Sequence, residues 1–194
     1  HDDAYNAVVA IRKMGSKYGG DTERISLVGD SAGGHLALVT AMRLKQRQDW
    51  LPERQILIYP MLDPHGSSVS YKANATDYII TDKMLLSGFD MYLGDKNPEH
   101  IDANPELNPL LCGDFRGLPP TSIITAEFDP LRDEGEQLYR QLLKHGVEAH
   151  CERYLGVIHG FYQLSAVSQS AARCISRIAA ELASSTLSTL NRGH

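Results

Sequence analysis

Residues 24–34 read Arg24-Ile25-Ser26-Leu27-Val28-Gly29-Asp30-Ser31-Ala32-Gly33-Gly34. The first five are short and rich in branched apolar side chains, the signature of a buried strand. The next five, Gly29 to Gly33, set two glycines around an aspartate and a serine, which marks a sharp turn. From Ala32 to Lys45 the apolar residues return to helical spacing. Strand, glycine-rich turn and helix thus follow one another with no linker between them.

Working outward, Ala4, Ala7, Val8, Ile11 and Met14 recur at three and four, so residues 3–17 form an amphipathic helix that Gly19-Gly20 stops. Downstream, 55–59 and 121–126 are predicted strands, 134–145 a helix, 148–154 a strand and 164–187 a final helix. In that last helix Val167, Ala171, Cys174, Ile178 and Leu182 share a face. Strands alternating with helices predict an α/β fold, a mostly parallel sheet flanked by helices.

Residues 63–120 break the rhythm. They are rich in Pro, Asn, Gly and Asp and hold one helical patch, 83–92, with Met84, Leu85, Phe89 and Tyr92. A connection of that length is functional or a small subdomain more often than idle loop, so it is a candidate pocket segment. Helical spacing of those four apolar residues favours plain packing over a substrate wall. There is no internal repeat, and the Ser/Thr-rich residues 183–189 are expected to fray. Residues 1–194 are read as a single partial domain.

The balance of 24 acids and 19 bases, net −5, has no Lys/Arg block able to track phosphates, which argues against nucleic acid. Uninterrupted apolar runs such as 36–39 and 56–59 fall far short of the roughly 20 residues a bilayer span needs. Three cysteines, Cys112, Cys151 and Cys174, lack C-x-x-C spacing and leave one unpaired, as buried thiols in a reducing compartment would. A cytoplasmic location is therefore expected, although the chain opens on His1-Asp2-Asp3 and its natural N-terminus is expected to lie elsewhere.

Gly29-Asp30-Ser31-Ala32-Gly33 matches G-x-S-x-G, in which a strained strand-to-helix turn lifts a serine hydroxyl above the sheet. The strand before it and the helix after it supply the required setting. No Gly-Lys-Ser/Thr follows, so it is not a phosphate loop. The Ala32 backbone N–H, at a helix N-terminus, is the expected oxyanion donor. A serine hydroxyl needs an imidazole to take its proton and a carboxylate to orient the imidazole. Asp129 follows the predicted strand 121–126 and precedes Pro130, a stiff loop at a strand's C-terminal end, where α/β sheets bind ligands. Asp133 and Glu134 read as helix-start carboxylates. Among eight histidines, His159 stands out in Gly156-Val157-Ile158-His159-Gly160-Phe161, between the last strand and the last helix. His35 lies within a helix, His65, His100, His145 and His150 look peripheral, and His1 and His194 are termini. The order Ser, Asp, His, each past a strand, is the one α/β-hydrolases use.

Four segments carry a resemblance: Gly29-Asp30-Ser31-Ala32-Gly33-Gly34, Gly117-Leu118-Pro119-Pro120-Thr121, the run Ala126-Glu127-Phe128-Asp129-Pro130-Leu131-Arg132-Asp133-Glu134-Gly135, and His159-Gly160-Phe161. With them the chain resembles the hormone-sensitive-lipase-like esterases, a group that includes bacterial acetyl esterases and arylacetamide deacetylase-like enzymes. The resemblance implies an α/β-hydrolase fold, a catalytic triad of Ser31, Asp129 and His159, small short-chain acyl esters as substrates, and no metal or cofactor. It also implies an upstream H-G-G-G oxyanion loop and four earlier strands that residues 1–194 do not include. The chain is thus read as the C-terminal portion of the fold, with the strand 24–28 open at one edge and prone to aggregate unless a complementing N-terminal segment or a second copy covers it. Two alternatives to a working esterase follow: an incompetent fragment, or a ligand-binding relative like the plant gibberellin receptors, in which the histidine retained here as His159 is replaced. A peptidase or amidase on the same fold is a third.

Overall fold

The computed structural model describes residues 1–94, 97–111 and 114–190, the side chains of 98 and 185–190 apart. It divides into two compact units, His1–His159 and Gly160–His194.

In the first unit, α1 (Asp2–Met14) runs into a turn of 3-10 helix, Gly15–Tyr18, and stops at Gly19, whose φ of +80° favours glycine. β1 (Ser26–Asp30), α2 (Ala32–Gln46) and β2 (Arg54–Ile58) come next. After β2 lie three helices, α3 (Val69–Ala73), α4 (Asp82–Leu93) and α5 (Pro98–Asp102). β3 (Thr121–Phe128), α6 (Arg132–Lys144) and β4 (Ala149–Ile158) complete the unit. The strands form one parallel sheet in the order β1-β2-β3-β4.

Parallel neighbours require crossovers, and right-handed crossovers between sequential strands bring their helices to one face. α2 packs on β1 and β2, and α6 on β3 and β4. Their apolar stripes share one core, in which Leu38 and Ala41 of α2 and Leu138 and Leu142 of α6 meet Leu27, Leu57 and Ile123 of the sheet. Each fully buried leucine stabilises the fold by roughly 1.5–3 kcal/mol. β2 is buried from Gln55 to Ile58, which is why Ile56-Leu57-Ile58 is an unbroken apolar run rather than an alternation.

The 63–120 connection is ordered by its own caps and by contact with the sheet's rim. Ser68, Thr81 and Asn97 accept the backbone N–H of Tyr71, Met84 and His100, starting α3, α4 and α5. Phe89, Leu93, Ile101 and Leu107 form one small core and Tyr71, Leu85 and Leu131 another, with Met61 packed against both.

β4 extends four residues past its expected end at Tyr154 because of an irregularity: Ala126 pairs with Tyr154 but Phe128 with Ile158. Gly156 takes the slack at φ +72°, and its N–H donates to Glu127 Oε2 at 2.7 Å.

In the second unit a 3-10 turn, Phe161–Leu164, precedes α7 (Gln169–Leu190). The helix begins later than residue 164 because Ser168 interrupts and recaps it, its hydroxyl accepting the Ala171 N–H at 3.3 Å. Val167 is therefore exposed, while Ala171 and Cys174 are fully buried. Residues 183–189, expected to fray, continue the helix to Leu190. Cys151 is half-buried, and Cys112 and His194 lie outside the described residues.

Candidate active site

The residue after each strand decides the chemistry of the sheet's C-terminal edge. β1 ends at Asp30, β2 at Ile58, β3 at Phe128 and β4 at Ile158, so Ser31, Tyr59, Asp129 and His159 are the four residues that step off the sheet. Because the strands are parallel, all four step off at the same edge.

Ser31 has φ +54° and ψ −119°, a conformation unfavourable for any residue with a side chain. It is held there by its backbone. Its N–H donates to Ile58 C=O at 2.9 Å, and its C=O accepts from Gly34 at 3.0 Å and Met61 at 3.2 Å. Gly29 is obligatory in this turn, since a Cβ there would lie 2.1 Å from the Gly33 carbonyl oxygen. Ala32 and Gly33 open α2, so their N–H groups have no intrahelical acceptor by position.

Asp129 is fully buried. Its Oδ1 accepts the Leu131 N–H at 2.9 Å, which orients the carboxylate, and its Oδ2 lies 2.8 Å from His159 Nδ1. A carboxylate accepts, so the imidazole proton sits on Nδ1 and leaves Nε2 as the acceptor. Nε2 is 3.1 Å from Ser31 Oγ. Tyr59 supports the ring from one side, its own ring centroid 4.4 Å from that of His159. The structure thus brings Ser31, His159 and Asp129 into one hydrogen-bonded series, and Ala32, the next residue, opens α2.

The other histidines are elsewhere. His65 pairs with Asp102 at 2.7 Å, His145 Nδ1 lies 2.8 Å from Gln141 C=O, and His100 and His150 are exposed. His35 is buried on α2, its ring nitrogens 2.8 Å from the Met61 and Glu106 carbonyls, and burial pushes its pKa down. It also lines a pocket of about 210 Å³ beside Ala32, together with His1, Leu36, Met61, Phe89, Tyr92 and Leu107. Of the four residues singled out on α4, Leu85 packs, Met84 is exposed, and Phe89 and Tyr92 face this pocket. Sequence reasoning had no signal for His1, Met61 or Leu107, because they converge only through the fold.

Asp133 and Glu134 stand in the first turn of α6, as read from sequence, but each does more than face the helix dipole. Asp133 Oδ2 accepts the Ser70 N–H at 2.8 Å. Glu134 is buried, and its Oε2 accepts the N–H groups of Leu62 at 2.6 Å and Asp63 at 2.8 Å. Burial, with the nearby Asp63 and Asp129, holds its pKa well above the usual range against those two amides. Among the described residues no group of three or more His, Cys, Asp or Glu is placed to hold a metal ion.

Residues 1–163 match the family described as alpha/beta hydrolase fold. The chain belongs to that family. This is the assignment its four motif segments pointed to, and several of its relatives are named as esterases. It is 34% identical over 169 residues to the carboxylic ester hydrolase LipN of Mycobacterium tuberculosis, covering 84% of this chain and 44% of that protein. It is 31% identical over 160 residues to an arylesterase of Saccharolobus solfataricus, covering 82% and 51%. Among solved structures, an esterase of Pyrobaculum calidifontis superimposes with a TM-score of 0.87 at 37% identity, over 95% of this chain and 60% of that one. The chain spans about half the length of the curated relatives it matches. No helix among the described residues is long and apolar enough to cross a membrane.

Proposed function

We propose that this chain carries the nucleophile, base and acid of a serine carboxylic ester hydrolase acting on short-chain acyl esters. The observation that carries the reading is the hydrogen-bonded series from Asp129 Oδ2 through His159 to Ser31 Oγ at one sheet edge. Ser31 Oγ attacks the ester carbonyl while His159 Nε2 takes its proton, and the oxyanion that forms meets the Ala32 N–H. As the tetrahedral intermediate collapses, His159 returns the proton to the departing alcohol. A water then attacks the acyl-enzyme, giving its proton to His159 Nε2, and as the second tetrahedral intermediate collapses His159 returns that proton to Ser31 Oγ while the carboxylic acid leaves. Asp129 keeps the ring in the right tautomer and balances the imidazolium. Every proton and bond in this scheme is handled by side chains, with no cofactor.

The pocket beside Ala32 supports a small apolar group on the substrate, since a cavity of about 150 Å³ already holds benzene and this one is about 210 Å³. The names of the relatives support the ester class. We take 1–159 and 160–194 as parts of one catalytic domain and 63–120 as its pocket segment. The test is hydrolysis of p-nitrophenyl acetate, beside the matched acetyl anilide, by the parent protein and its Ser31→Ala variant. Ester turnover that disappears in the variant, with the anilide left nearly untouched, is expected. Turnover that survives Ser31→Ala would sink the reading, and a faster anilide would make the protein an amidase.

A further inference from the structure

Two halves of the proposed site hang on different parts of the sheet. The nucleophile turn belongs to β1 and α2, the acid loop to β3 and α6, and β2 lies between them. The segment leaving β2 is already tied to the nucleophile: Ile58 C=O accepts the Ser31 N–H, and the Met61 N–H donates to Ser31 C=O. Its next two residues, Leu62 and Asp63, donate their N–H groups to a single atom, Oε2 of Glu134. Glu134 is only five residues beyond Asp129, on the helix whose first residues receive Asp129: Leu131 N–H bonds its carboxylate and Arg132 N–H its carbonyl.

We propose that Glu134 is a positioning residue, a clamp that sets the distance between the Ser31 turn and the Asp129 loop. The proposal rests on the esterase reading above. One oxygen accepts two consecutive amides of the segment that holds Ser31, from a helix turn that holds Asp129. The side chain is buried and makes no contact with the hydroxyl or the imidazole that any catalytic step would require. Its role is therefore geometric, and geometry is what a triad is sensitive to, since a displacement of about 1 Å can lower turnover on the order of 10²-fold.

The test compares Glu134→Asp with Glu134→Gln in the full-length protein, with Ser31→Ala as reference. Asp keeps a carboxylate but withdraws it by about 1.5 Å, one carbon–carbon bond. Gln keeps the reach and an accepting oxygen but not the acid. A clamp predicts that kcat on p-nitrophenyl acetate falls about 30- to 100-fold in Glu134→Asp with KM within about threefold, and that Glu134→Gln stays within about threefold of the parent. A folded Glu134→Asp with parental kcat would overturn the proposal. So would a Glu134→Gln that falls as far as Asp, or an Asp variant that does not fold, which would make the role purely structural. Hydrolysis surviving in Ser31→Ala would instead remove the esterase reading and the clamp together.

Discussion

A methyl group on Gly29 would sit 2.1 Å from the Gly33 carbonyl oxygen, whereas one on Gly33 meets nothing within 4 Å. The two glycines of one short motif are therefore unequal. Gly29→Ala is expected to destabilise by about 3 kcal/mol or to prevent folding, and Gly33→Ala to fold with stability within about 1 kcal/mol of the parent, as read by urea denaturation. Equal losses would contradict the crowding seen on one side only. At Glu134 the prediction concerns protons. Because burial raises its folded pKa, the folded chain keeps a proton that the unfolded chain releases. The stability this gives is complete below the ordinary value of 4.5 and declines as pH rises toward the folded value. Gln does not titrate, so the melting temperature of Glu134→Gln relative to the parent should rise between about pH 4.5 and pH 8. A difference that is flat with pH would refute it. Ser31 was legible as a candidate from its G-x-S-x-G turn between a predicted strand and helix, and Asp129 and His159 from their places just past predicted strands. Glu134 was legible only as a helix-start acid, since its partners Leu62 and Asp63 lie more than seventy residues away in sequence.

Elements were legible in proportion to their length. α4 was read as 83–92 and spans Asp82–Leu93, but α3 and α5 were missed. Five residues cannot display a period, and only the caps Ser68 and Asn97, with Pro98 at the start of α5, announce them. The extra length of β4 was hidden for a different reason: its irregular pairing depends on β3, not on its own residues. α3 is stapled to α6 by Ser70, whose Oγ donates to Pro130 C=O at 2.7 Å and accepts the Asp133 N–H at 3.0 Å. Ser70→Ala removes both bonds and leaves the Pro130 carbonyl buried without that donor. A loss of about 1–3 kcal/mol is expected by chemical denaturation. A change below about 0.5 kcal/mol would mean that these two hydroxyl bonds are not what holds α3.

The sheet as a whole has two dissimilar edges. β4 carries His150, Glu152 and Arg153 and an irregularity that twists it, both of which discourage a further strand. β1 reads Ser26-Leu27-Val28-Gly29-Asp30, and Val28 is 46% exposed. The 194-residue polypeptide expressed by itself is therefore expected to self-associate through β1, and Val28→Lys to shift it toward monomer on size-exclusion chromatography with light scattering. A monodisperse monomer without the substitution would show that this edge is not adhesive. The α/β architecture was legible because strands and helices alternate with distinct periods. Strand order was not, since no single segment carries the pairing between β1, β2, β3 and β4.

That strand order coincides with the chain order, and this has a consequence for synthesis. Each strand that leaves the ribosome can add to the one made before it, without waiting for a partner still to be translated. Ser31 is made first, Asp129 much later and His159 last of the three. The three side chains proposed as a triad can therefore meet only once residue 159 has cleared the exit tunnel.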